Sequence, residues 1–92
     1  MSERTATIAS RSGLHARPAA IFAEAAGELP VEVTIAHVGE PAEDALDAAS
    51  ILSLMTLGAA KGDVVVLRAE GDGADAALDS LVTLLETDLD AE

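Results

Sequence analysis

Apolar positions change their period several times along the chain, and each change predicts an element. Val31, Val33 and Ile35 alternate with Glu32 and Thr34, a period of two that predicts a half-buried strand over Val31–Ala36. Thr5–Ala9 has the β-branched content of another short strand. The run "VVVLRA" (Val64–Ala69) starts with continuous apolar residues and suits a central strand. Helical spacing appears elsewhere. Ala19, Phe22, Ala23 and Ala26 share one face of an alanine-rich helix over Ala16–Ala26, with Gly27 as its stop. Leu78, Leu81, Val82, Leu85 and Leu89 form the stripe of a core-facing helix over Ala74–Leu89, with Asp72 or Asp75 available as its cap. Ala48–Leu57 reads as a short helix stopped by Gly58. "HVGE" turns into a short extended piece at Glu40–Ala42, and "EPAEDALD" (Glu40–Asp47) reads as an acidic loop or a poorly formed helix. The order is β-α-β-β-α-β-α, an α+β domain with helices covering one face of a four-stranded sheet.

Composition narrows the class. Ninety-two residues, half of them hydrophobic, make one small domain over 1–92 with a packed core. Without cysteine there is neither a disulfide nor a thiol nucleophile. Phe22 is the only aromatic residue, so base stacking is excluded as a binding mode. The formal net charge of -12 repels a phosphate backbone and an anionic membrane surface alike. No apolar run approaches membrane-spanning length, and "MSERTATIAS" lacks the apolar core of a signal peptide, so a cytoplasmic location is expected. Lys61 is the only lysine. That fits a high-salt cytoplasm, and a GC-rich genome would push composition the same way.

Against this acidity, "SGLHARPAA" (Ser12–Ala20) is unusual: Arg11 and Arg17 bracket His15, and Pro18 follows. With a helix starting at Ala16, its first amides lack intrahelical partners and its dipole favours an anion. Pro18 is tolerated because its missing N–H is one of those unpaired groups. Arg17 adds a permanent cation. The same field keeps the His15 imidazole neutral and nucleophilic, which suits a histidine that accepts and passes on a phosphoryl group. The plainer reading is a surface or capping histidine. A metal site is disfavoured, because His37 is the only other histidine and lies on a different element. No cofactor is implied.

"GLHARPAA" (Gly13–Ala20) resembles the active-site signature of the HPr family, the histidine-containing phosphocarriers of the bacterial phosphotransferase system. "ASILSLMTLGAAKGDVVVLRAEG" (Ala49–Gly71) resembles the family's second signature and fourth strand, so the likeness spans nearly the whole chain. It implies an open-faced β-sandwich, with a four-stranded antiparallel sheet covered on one face by three helices. It further implies a carrier rather than a stand-alone enzyme. His15 would be phosphorylated on Nδ1 by enzyme I, with phosphoenolpyruvate as ultimate donor, and would pass the group to the IIA domain of a sugar permease. Arg17 would contact the phosphate, and Ala16 and Arg17 would offer backbone N–H groups. Ser12 stands where the family often has a small polar residue near the histidine, and a plain loop or cap role fits it equally well. The carrier is expected to be a monomer.

The short second helix is apolar on more than one face. Leu54 and Leu57 are expected in the core, which leaves Ile51, Leu52 and Met55 as a docking patch or the edge of a shallow core. The resemblance places that helix beside the histidine, as the dock for enzyme I and IIA. Ser50 aligns with a serine that a kinase phosphorylates in some bacteria. Its alternative reading is an N-cap, and a phosphate there would inhibit docking by adding charge. Two departures stand out: Glu40–Asp47 is several residues longer than the family's usual connection, and basic residues around the site are sparse.

Other carriers remain in view. "DSL" at Asp79–Leu81 matches the acyl carrier protein motif, in which Ser80 would hold a pantetheine arm. Its place inside the last helix of a strand-containing chain argues against that reading. An HPr-like carrier could also serve a nitrogen-type regulatory phosphorelay or a dihydroxyacetone kinase system with the same His15 chemistry.

Overall fold

The computed structural model describes residues 2–10, 13 and 16–87, the side chains of 16 and 42 aside. Four strands, β1 (Ser2–Thr7), β2 (Val33–His37), β3 (Leu46–Asp47) and β4 (Val64–Ala69), form one sheet in the order β1-β4-β2-β3. Every pairing is antiparallel. Helices α1 (Ala16–Gly27), α2 (Ile51–Leu57) and α3 (Ala74–Leu85) cover one face, giving the expected open-faced sandwich. The apolar run of β4 lies between β1 and β2, where strands on both sides satisfy its backbone.

Period-two and helical patterns meet in the core. Val33 and Ile35 of β2 and Val65, Leu67 and Ala69 of β4 point inward. They meet Ala19, Phe22, Ala23 and Ala26 of α1 and Leu78, Leu81 and Leu85 of α3, all buried. The i, i+3, i+4, i+7 spacing therefore marks buried faces on both long helices. Leu89 lies outside the described residues.

Several boundaries differ from the sequence reading, each for a local reason. β1 begins at Ser2, because pairing with β4 extends its ladder through Glu3 and Arg4. β2 begins at Val33, two residues later than the alternation predicts. The extended piece expected at Glu40–Ala42 is not a strand: residues Ala42–Asp44 form a 3-10 turn. The third strand is Leu46–Asp47, within the stretch read as a loop or poor helix, and it pairs with Thr34 and Ile35. α2 starts at Ile51 rather than Ala48. The Ala48 N–H bonds to the Val33 carbonyl, the Asp47 carboxylate accepts from Ala49 N, and both hold the chain outside the helix. Gly27 ends α1 as its last residue, whereas Gly58 ends α2 in the left-handed region (φ 65°). Gly73, not Asp72 or Asp75, occupies the N-cap of α3, with no side-chain cap. Its positive φ of 84° suits glycine and would strain aspartate.

Asp75 instead serves a tie between α3 and the edge strand. Arg4 Nε donates to Asp79 Oδ1 at 3.0 Å and its Nη2 reaches Asp75 Oδ1 at 3.4 Å. The Asp75 carboxyl is held below its ordinary value of 3.8, chiefly by a hydrogen bond from the Ser2 side chain and further by the Arg4 charge. Because the folded pKa is depressed, this stabilisation is present above the ordinary value and is lost as pH falls through the lower folded one. Asp75→Asn is therefore expected to lower Tm slightly at neutral pH, and the gap to wild type should close on acidification below about pH 4. A gap that stays constant down to the acid limit would contradict this assignment.

Candidate phosphoacceptor site

α1 begins at Ala16, as its sequence predicts. Arg17 is exposed in its first turn, and Pro18 is fully buried at the third position, where a helix needs no N–H donor. His15, Ser12 and Arg11 lie outside the described residues. The residues around them are anchored. Ile8 N–H bonds to Asp63 O at 2.9 Å, and Ala9 N–H bonds to Leu85 O at 3.0 Å. Ser10 is buried, and its hydroxyl donates to Thr87 O at 3.4 Å. Gly13 N–H then closes a turn onto Ser10 O at 2.9 Å.

Gly13 is the tightest point of this region. Its φ of +69° is in the left-handed region. A Cβ there would overlap the Ala59 carbonyl oxygen and lie 2.8 Å from Ala60 Cα. Backbone thus lies directly on backbone, two residues before the position of His15. The Ala59–Ala60 seat is rigid: the Asp63 carboxylate accepts from Ala60 N at 2.9 Å, and Gly62 N–H bonds to Ile8 O at 2.9 Å. Sequence reasoning missed this contact. The glycine inside the motif was its one visible signal.

α2 runs into that seat. Ser50 is its N-cap, its hydroxyl oxygen accepting from Ser53 N at 3.3 Å. The capping reading of Ser50 therefore holds. Leu54 is fully buried and Leu57 packs half-buried against the core. Leu52 is 78% exposed, with Ile51 at 44% and Met55 at 45%, so these three do not fill the core. Val38 joins them as an exposed large apolar residue that the sequence pattern had not singled out. His37 Nε2 lies 2.8 Å from Leu57 O. Among the described residues no group of three His, Cys, Asp or Glu could hold a metal ion. Nor is any helix among them long and apolar enough to cross a membrane.

A family model described as the PTS HPr component phosphorylation site matches residues 2–87. The chain belongs to the PTS-HPr family. The HPr likeness extends over whole relatives. The chain is 44% identical to the phosphocarrier protein HPr of Haloferax volcanii, over 92% of this chain and 93% of that protein. It is 39% identical to the phosphocarrier protein NPr of Shewanella violacea, over 96% and 92%. The solved structure of HPr-C-His from Thermoanaerobacter tengcongensis superposes with a TM-score of 0.84 at 38% identity, covering 100% of this chain and 99% of that one. The sheet of this HPr-family chain excludes the all-helical bundle of an acyl carrier protein, and Ser80 is an exposed residue inside α3.

Proposed function

We propose that this chain is a cytoplasmic, monomeric phosphocarrier. It accepts a phosphoryl group on His15 Nδ1 from enzyme I, with phosphoenolpyruvate as the ultimate donor. It then passes the group to the IIA domain of a sugar permease. The observation that carries this reading is the position of "GLHARPAA" within a PTS-HPr chain whose α1 starts at Ala16.

The chemistry follows from electrostatics. The Nδ1 lone pair forms a bond to phosphorus as the bond to the donor breaks, and the second transfer reverses this at the acceptor. Charge spread over the equatorial oxygens is met by the first amides of α1, at Ala16 and Arg17, and by the Arg17 guanidinium. No cofactor is needed, since positioning and charge stabilisation carry most of a phosphoryl transfer. Ile51, Leu52 and Met55 give partners an apolar contact in an otherwise acidic chain. A phosphate on Ser50 would set charge beside Ile51 and Leu52 and oppose that docking.

Incubation with enzyme I and phosphoenolpyruvate is expected to load one acid-labile phosphate on the wild type and none on His15→Ala. Arg17→Ala should remain folded and accept phosphate about 100- to 1000-fold more slowly, the range for removing one charge-stabilising donor. Equal labelling of His15→Ala would refute the assignment. The 39% identity to an NPr supports a second reading, a carrier in a nitrogen-type phosphorelay. Parallel labelling by enzyme I of the sugar and nitrogen branches separates the two, the faster donor naming the branch.

A further inference from the structure

His37 is remote from His15 in sequence, yet its contacts lead to the same place. It ends β2, paired with Val65 of β4. Its backbone is held twice more. Glu40 N–H bonds to the His37 carbonyl at 3.2 Å, and the Glu40 carboxylate accepts from His37 N at 3.0 Å. Gly39 supplies the positive φ (91°) that this turn needs. The ring is therefore presented from a fixed base. Its Nε2 lies 2.8 Å from the carbonyl oxygen of Leu57, the last residue of α2. A carbonyl only accepts, so the proton sits on Nε2 and the ring donates.

Leu57 O is one of the terminal carbonyls that a helix leaves without an internal partner. α2 has seven residues and little cohesion of its own, so a donor at its end helps to decide where that end lies. Two residues later comes Ala59, whose carbonyl, with Ala60 Cα, receives Gly13. A continuous line of short contacts thus runs from the His37 ring through Leu57 O and the Ala59–Ala60 backbone to Gly13. Asp63 holds the far side of the seat through Ala60 N, and His37 holds the near side through α2.

We propose that His37 is a positioning residue for phosphoryl transfer: its Nε2–H donor to Leu57 O sets the Ala59–Ala60 seat on which Gly13 rests. This inference rests on the reading of His15 as phosphoacceptor. Small displacements are costly in group transfer, because the attacking atom and its charge-stabilising donors must be aligned together. Loss of the ring lets the end of α2 drift, and the seat drifts with it. The arginine and the helix amides then meet the phosphoryl group out of line.

The test compares His37→Ala with His37→Gln, whose side-chain amide reaches a similar distance and keeps a donor. His37→Ala should slow phosphorylation by saturating enzyme I by roughly tenfold, and His37→Gln should recover most of that rate. Arg4→Ala, which loosens the β1–α3 tie at a distance from the seat, serves as the stability control. It should lower Tm without lowering the rate. The backbone amide signals of Gly13 and Ala60 report the seat in the absence of phosphate. They should shift in His37→Ala and return toward wild type in His37→Gln. An alanine variant with full rate and unmoved Gly13 overturns the proposal, as does a glutamine variant no better than alanine. Gly13 signals that shift in His37→Ala, together with a wild type that takes no phosphate, would instead sink the phosphoacceptor reading and leave the seat intact.

Discussion

Phe22→Ala is expected to destabilise the fold by about 4 kcal/mol, within the 3–5 kcal/mol range for truncating a buried aromatic. Phe22 is fully buried on the inner face of α1 and is the only aromatic residue in the chain. Its helical neighbours on that face are Ala19, Ala23 and Ala26. Alanines have no rotamers with which to close a cavity, so these neighbours leave part of the void open and the cavity adds to the cost. For a domain of this size each kcal/mol corresponds to roughly 4–8 °C, so Tm should fall by roughly 16–32 °C. That is a large share of the roughly 5–15 kcal/mol holding a small domain together. Phe22→Leu, which leaves most of the volume filled, should recover more than half of the loss. Urea unfolding measures both, and a loss below about 1.5 kcal/mol for the alanine variant would show that the core closes around the gap.

The second large effect is expected at Gly13. Gly13→Ala places a methyl group against the Ala59 carbonyl and Ala60 Cα, and it holds alanine at φ +69°. The left-handed backbone costs about 1–2 kcal/mol, and overpacking against a fixed neighbour adds about 1–3 kcal/mol. The neighbour cannot easily yield, because Ala60 is tied to Asp63 and the adjoining turn to Ile8. The substituted segment must lift from its seat, so stability and the rate of His15 phosphorylation should fall together. Gly73→Ala is the matched control. Gly73, the N-cap of α3, also has positive φ, but no atom lies within 4 Å of its would-be Cβ. It should lose only the backbone contribution and leave transfer unchanged. If the two substitutions cost the same, contact with Ala59 is not what requires glycine at position 13.

These two residues differ in how far the sequence discloses them. Phe22 is legible, because its burial follows from a face repeated every three or four residues along one helix. The start of α1 at Ala16 and the stop of α2 at Gly58 are legible for the same reason: caps and stops act over a single turn. β3 is not, because two residues carry no period and Leu46–Asp47 becomes a strand only through pairing with β2. The cap of α3 misleads because two aspartates stand near, while the backbone at Gly73 takes a conformation that favours glycine.

The motif around His15 shows a similar division. The pattern behind the proposed chemistry, a histidine next to a helix start with an arginine and a proline, is written in consecutive residues and can be read without coordinates. So can the surplus of apolar residues in Ser50–Gly58. Which of them face outward is a tertiary result, since the core has room for Leu54 and leaves Ile51, Leu52 and Met55 outside. The contact of Gly13 with Ala59 and the bond from His37 to Leu57 also come only from folding. Local order depends on residues within one turn or one pleat of each other, and a single chain displays those directly. The seat beneath the motif joins segments that are neighbours only once the sheet has brought β1, β2 and β4 side by side.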